Sequence, residues 1–149
     1  MEKLLIYLDN CCYNRPFDDP VNETIILESE AKLSIQDQIR MKNLSLVWSF
    51  ALDFENSKNP YNDKRDNISV WRFLSAKYIP AKLEIKSIAR EIEVKNRMKS
   101  LDSLHLACAI YAKCEYFLTT DKDILRKSKN LEVIEVFNPV DFVLMWEAK

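Results

Sequence analysis

The chain of 149 residues contains no glycine at all. That absence excludes a P-loop and a dinucleotide fingerprint, because both need glycine to bring backbone N–H groups against phosphate. Histidine is nearly absent too, with His105 alone. The cysteines are Cys11, Cys12, Cys108 and Cys114. One adjacent pair and one pair six apart do not make a zinc-ligand spacing, so reduced structural thiols are expected. There is no excess of positive charge: 22 Lys and Arg stand against 23 Asp and Glu, a formal charge of −1. A protein that holds nucleic acid mainly by neutralising phosphates is normally basic. Nucleic-acid binding here would need a metal or local basic patches. No apolar run approaches the ~20 residues of a membrane span. The start, MEKLLIYLDN, is too short and too soon acidic for a signal peptide. A cytoplasmic protein without membrane contact is expected.

What is present fits one globular unit. Hydrophobic residues make up 48% and charged residues 30%, and the length suits a single domain over 1–149 with a sizeable core. Residues 3–8, KLLIYL, read as a buried strand. Asn14, Pro16, Asp18, Asp19 and Pro20 mark a loop. A long helix is expected over 22–42, with Ile25, Ile26, Ala31, Leu33, Ile35 and Ile39 on its buried side. Leu44 to Trp48 reads as a strand, followed by a helix from Ser49 that stops at Asn59-Pro60. Further helices are expected over 62–76, 83–95 and 100–114, the last buried between layers. Tyr78 to Pro80 is extended. Tyr116 to Thr119 and Leu131 to Val136 read as strands, Asp121 to Lys129 as a short basic helix, and Asn138-Pro139 as the turn into a C-terminal helix. Alternation of this kind indicates a three-layer α/β/α fold with a mostly parallel central sheet.

The residues that carry chemistry are acids. Asp9 ends LLIYLD and Asp121 ends YFLTTD, each directly after a strand-like run. Glu55 lies in SFALDFENSKNP, and Asp102 lies inside the otherwise apolar SLDSLHLACAIYA. Ligands of open α/β sheets bind beyond the carboxyl ends of the strands. Carboxylates gathered there without basic partners suggest a hard divalent cation and phosphate chemistry. Each acid also has a plainer reading. Asp102 would favour the helix dipole behind a Ser100 cap, Asp121 would be an N-cap, Asp9 would make an Asx-turn, and Glu55 would sit on an exposed helix face. Glu55 carries less weight than the others, because Asp53 is only two residues away and faces differently.

Four segments together resemble the PIN domain family: YLDNCCYNRPFDD, SFALDFENSKNP, SLDSLHLACA and FLTTDKDIL. The likeness spans Met1 to about Pro139. Many bacterial and archaeal members are VapC-like toxins of type II toxin–antitoxin pairs that cut RNA. The resemblance implies that Asp9, Glu55, Asp102 and Asp121 are the catalytic and metal-binding acids. It implies one or two Mg²⁺ or Mn²⁺ ions, with Thr119 as the family's hydroxyl residue and Asp123 as an accessory acid. Arg15, Lys58, Arg65, Lys122 and Arg126 lie near these motifs and are candidate contacts to RNA phosphates. The family's partners would be an RNA substrate, a cognate antitoxin and a second copy in a homodimer. Where related sequences often carry glycine, this chain reads REIEVKNRMKS, which alters a loop and removes no acid. The segment RPFDD marks a subgroup whose fold is better defined than its toxin role.

Rival readings remain. A PIN-like module could bind RNA or protein without cutting; loss of an acid would favour it, and all four are present. An aspartyl phosphatase would want a second acid two residues after Asp9, where Cys11 stands. An interaction role could use Trp71, Phe73 and Trp146, although core packing is the simpler expectation for them. His105, three residues after Asp102, is expected to be a packed or supporting residue.

Overall fold

The computed structural model describes residues 4–13 and 23–148. Arg15, the loop residues Asn14 to Pro20 and the segment RPFDD lie outside the described residues. The strands are β1 (Leu5–Leu8), β2 (Ser45–Ser49), β3 (Lys77–Ile79), β4 (Tyr116–Leu118) and β5 (Glu135–Phe137). The helices are α1 (Glu23–Arg40), α2 (Phe50–Ser57), α3 (Asn62–Leu74), α4 (Leu83–Lys95), α5 (Ser100–Tyr111), α6 (Lys122–Lys127) and α7 (Pro139–Glu147). A short 3₁₀ turn, Asn10–Tyr13, follows β1.

The described strands form one sheet in the order β3-β2-β1-β4-β5, and every pairing is parallel. Helices cover the sheet in a three-layer α/β/α arrangement, in which α1 packs against α7 and α4 against α5. Covering both faces explains why the central strands are apolar without alternation. Ile6, Tyr7, Leu8, Leu46, Val47, Phe117 and Leu118 are all completely buried.

The order places the site. From β1 the chain builds outward to β2 and β3 on one side and to β4 and β5 on the other. The direction of winding therefore reverses between β1 and β4, and the crevice beyond their carboxyl ends is where such sheets bind ligands. Register aligns Tyr7 with Phe117 and Leu8 with Leu118, so Asp9 and Thr119 leave the sheet side by side.

Four expectations need correction. Leu131 to Val136 is not one strand: only Glu135–Phe137 pairs with β4, because a three-residue β4 offers no longer partner. The helix expected to reach Cys114 ends at Tyr111. On α3, Ile68 and Trp71 are buried, whereas Phe73 is 87% exposed. On α1 the buried set is Ser29, Ala31, Ile35, Gln36 and Ile39, so Ile26 is exposed where burial was expected.

With no glycine available, helix ends are closed by other residues. Lys42, Arg97 and Lys113 adopt left-handed φ values of 63°, 52° and 64°. Behind α1, the N–H of Lys42 reaches Ile39 O and that of Asn43 reaches Gln38 O. Behind α5, Lys113 reaches Ile110 O and Cys114 reaches Ala109 O. This paired bonding is the Schellman cap normally built on glycine.

Candidate metal centre

Asp9 is held from several directions. Its backbone N–H extends the ladder to Leu118 O at 2.9 Å. Its Oδ1 accepts the Asn10 N–H at 2.8 Å, and its Oδ2 accepts the Thr119 hydroxyl at 2.6 Å. The turn behind it is clamped from α1, where Lys32 Nζ and Gln36 Nε2 donate to the carbonyls of Cys11 and Cys12, each at 3.1 Å. The carboxylate is nearly buried, at 7% exposure.

Asp121 caps α6. Its Oδ1 accepts the N–H groups of Asp123 at 2.8 Å and Ile124 at 3.3 Å. Its own N–H donates to Thr119 Oγ1 at 3.0 Å. The capping explanation and the cleft explanation for Asp121 are therefore compatible: one oxygen is used in the cap, and the residue still lines the cleft.

Asp102 occupies the first turn of α5. Ser100 does not cap this helix. Lys99 stands at the cap position without a side-chain bond, and the Ser100 hydroxyl turns to Glu93 Oε1 at 2.8 Å. The Asp102 carboxyl is pushed up to about 6, first by burial and then by the negative charges of Asp9 and Asp121, against the pull of His105 and Lys99. Burial sets the direction of the shift, and the crowding of like charges adds to it.

Glu55 reaches the same place from α2, with Oε1 2.7 Å from His105 Nε2. Asp53 is set apart by geometry. Asp53 accepts from Trp48 Nε1 at 2.8 Å and from the Tyr78 hydroxyl at 2.7 Å, and it faces Arg72 at 3.5 Å. It ties α2 to β2 and β3 instead of entering the cleft.

The resulting cleft, of about 330 Å³, is lined by Asp9, Cys11, Glu55, Leu101, Asp102, Thr120 and Asp121. No Lys or Arg lines it among the described residues. Ligand atoms of Asp9, Glu55 and His105 lie within 4.8 Å of one another. A cluster of carboxylate oxygens without a cationic partner fits a hard divalent cation, which takes oxygen donors and offsets the repulsion.

The remaining site expectations fall into separate groups. Thr119 is completely buried and bridges Asp9 and the Asp121 backbone. Asp123 is not among the cleft-lining residues and pairs with Arg126 at 2.8 Å. Arg65 braces the α2–α3 turn through Asn59 O at 3.3 Å and Asn62 Oδ1 at 2.6 Å. Lys58 lies over the Phe54 ring, 5.2 Å from its centroid. Lys122 is exposed at the start of α6.

Cys11 and Thr120 were missed by the motif reading. Cys108 and Cys114 fit the structural expectation: both are buried, and burial pushes the Cys108 thiol up to about 11 and that of Cys114 higher still. Cys11 differs. It is half-buried in the cleft, takes the Thr120 hydroxyl at 3.2 Å and lies 3.6 Å from Asp9 Oδ2. Contact with Cys12, and secondarily with Thr120, lowers its thiol below the usual range despite burial and the nearby Asp9.

No curated protein matches this chain. Among solved structures, it is similar to a crystal structure of VapBC2 from Rickettsia felis bound to a DNA fragment from their promoter. The TM-score is 0.58 at 12% identity, over 91% of this chain and 98% of the other. At that identity the likeness speaks for the fold. A family model described as PIN domain matches residues 6–130, which takes in Asp9, Glu55, Asp102 and Asp121, and the chain belongs to the PIN domain family.

Proposed function

We propose that this protein is a metal-dependent endoribonuclease that hydrolyses phosphodiester bonds of single-stranded RNA, and that it is the toxin of a toxin–antitoxin pair. The observation that carries the reading is the meeting of Asp9, Glu55, Asp102 and Asp121 in one cleft at the switch point of the sheet. These four residues would hold one or two Mg²⁺ or Mn²⁺ ions. When bound, such an ion supplies Lewis acidity and a water of lowered pKa beside the scissile phosphate.

The chain's own groups prepare that chemistry. Thr119 holds one oxygen of Asp9, and the α6 cap holds one oxygen of Asp121, so two acids are oriented before any ligand arrives. Asp102 stays half-buried near both charges and takes a proton more readily than an ordinary carboxyl. Asp102 would give up that proton on joining the other acids around a cation, whose charge would offset the repulsion from Asp9 and Asp121. Lys58 and Lys122 are the exposed cations best suited to contact RNA phosphates at the rim. Asp123 and Arg126 form a surface pair that would shape that rim.

The toxin assignment extends the Rickettsia likeness, in which the solved molecule is a VapBC2 assembly on promoter DNA. An antitoxin or a second copy would cover exposed apolar surface, and Phe73 on α3 provides some. Trp71 is buried and Trp146 half-buried, so they contribute less. No described helix is long and apolar enough to cross a membrane.

Purified protein should cut single-stranded RNA with Mg²⁺ or Mn²⁺ and stop on chelation. Asp121→Asn should lower the rate roughly 100-fold or more, the order seen when one preorganised charge-stabilising group is lost. Equal cleavage by wild type and Asp121→Asn would assign the activity to a contaminant. A short DNA-binding gene overlapping this one would support the toxin role.

A further inference from the structure

Four polar groups from four elements form a chain that ends in the cleft. Tyr7, Ser49 and His105 are completely buried or within 1% of it. Ser49 Oγ lies 2.7 Å from Tyr7 OH. Tyr7 OH lies 2.6 Å from His105 Nδ1. His105 Nε2 lies 2.7 Å from Glu55 Oε1. The members come from β1, the end of β2, α5 and α2, and the chain meets solvent only at Glu55, whose side chain is 30% exposed.

The directions of the hydrogens follow from what each atom is able to do. An ionised Glu55 only accepts, so Nε2 of His105 carries a hydrogen. In that tautomer Nδ1 accepts, and the Tyr7 hydroxyl donates to it. Burial above all keeps Tyr7 protonated, pushing its hydroxyl well above the usual range. The Tyr7 oxygen then accepts from the Ser49 hydroxyl. Ser49 in turn accepts the Leu52 N–H at 3.3 Å as the N-cap of α2. The Ser49 hydroxyl also meets the Cys108 thiol, and each of the other hydrogens has one destination, as buried polar groups require. Tyr7 is itself fixed by stacking on Phe117, with ring centroids 5.2 Å apart and planes 10° from parallel.

We propose that Ser49, Tyr7 and His105 are positioning residues for Glu55: Tyr7 selects the Nε2–H tautomer of His105, and His105 presents that hydrogen to the Glu55 carboxylate. This rests on the nuclease reading only in taking Glu55 as a metal ligand. Because Ser49 also caps α2, the helix that carries Glu55 is moored to the same tyrosine at its start and, through His105, at the acid itself. A histidine that only filled the core would be indifferent to which of its nitrogens was kept.

Two measurements test this. His105 is the chain's only histidine, so ¹⁵N NMR of tag-free, metal-free wild type reads its tautomer directly. The expected result is a protonated Nε2 with an unprotonated Nδ1, turning to a mixture in Tyr7→Phe. An Nδ1–H tautomer or an imidazolium in wild type would overturn the proposal. The second measurement is Mn²⁺ affinity by titration calorimetry. His105→Gln keeps an N–H near the Nε2 position, whereas His105→Asn mimics only Nδ1. His105→Asn should weaken Mn²⁺ binding about tenfold, the lower range for groups that orient a ligand. His105→Gln should stay close to wild type. Equal losses in both variants, or none in either, would also overturn it. Wild type that binds no Mn²⁺ would count against the nuclease reading, while the NMR result alone would still decide the tautomer.

Discussion

The hydroxyl of Thr119 donates to Asp9 Oδ2 at 2.6 Å, across 110 residues of sequence, and the same oxygen accepts the backbone N–H of Asp121 at 3.0 Å. One buried atom therefore sets the spacing between the acids that follow β1 and β4. Thr119→Val keeps the shape and removes that atom. It is expected to cost about 1–3 kcal/mol of stability, because a buried carboxylate oxygen and an N–H lose their partner. Mn²⁺ affinity should fall about 10-fold or more. Denaturant melts and metal titration of the variant check both. A stable variant with unchanged metal binding would show that Asp9 orients itself.

Asp102 makes the metal-free protein sensitive to pH. Its folded carboxyl sits at about 6, above the usual value of 3.8. A raised folded value means the native state binds the proton more tightly than the unfolded state. The stabilisation is complete below the unfolded value and is lost as pH rises through about 6. With chelator present, Asp102→Asn should therefore be more stable than wild type above pH 6, with the gap closing toward pH 4. Solvent at this half-exposed group reduces the size of the effect, and loss of a charge from the first turn of α5 opposes it by about 0.3–1 kcal/mol. Urea midpoints of both proteins from pH 4 to 8 measure the gap; one independent of pH would refute a carboxyl raised by burial and by its acidic neighbours.

Arg65 and Lys122 were candidates for the same task and now separate. Arg65 is spent on Asn59 and Asn62, so Arg65→Met should lower Tm and leave RNA affinity nearly unchanged. Lys122→Met should leave Tm alone and weaken RNA binding, with a shallower salt dependence for the lost phosphate contact. Filter-binding isotherms at two salt concentrations, set beside melting curves, distinguish them. The reverse pattern would return Arg65 to the RNA face.

Local periodicity made much of the fold legible. Helix α4 was read over 83–95 and occupies Leu83–Lys95, because Ile85, Ala89 and Ile92 recur on one face and are buried there. The apolar runs before Asp9 and Asp121 marked strands, and the α/β alternation indicated a mostly parallel sheet; that the two strands are neighbours comes from the pairing itself. What stayed hidden depends on pairing. LEVIEV alternates over six residues, yet its pairing stops where β4 stops. Asp53 and Glu55 face differently by their spacing, but which of them enters the cleft is set by Trp48, Tyr78 and His105, brought in from β2, β3 and α5. The His105 link to Tyr7 spans 98 residues, and no spacing rule reaches that far. Cys11 read as one more inert thiol because nothing local shows that the turn after β1 opens into the cleft.

The glycine-free turns have an electrical consequence. Lys42 and Lys113 hold left-handed geometry just before β2 and β4, a conformation that costs a non-glycine residue about 1 kcal/mol. Both are cations placed at the negative ends of α1 and α5. They sit where strands enter the sheet, whereas Asp9 and Asp121 sit where strands leave it. Glu115 and Glu135 stand at the same edge as those lysines, and Lys122 opens α6 beside Asp121, so neither edge carries one sign alone. The effect of each lysine is local. Its charge faces the carbonyl end of the helix it closes, an attraction of about 0.3–1 kcal/mol that offsets part of the backbone cost and that salt screens. Glycine at either turn would remove the cost and the attraction together, so this chain closes its helices with charge where others use conformational freedom.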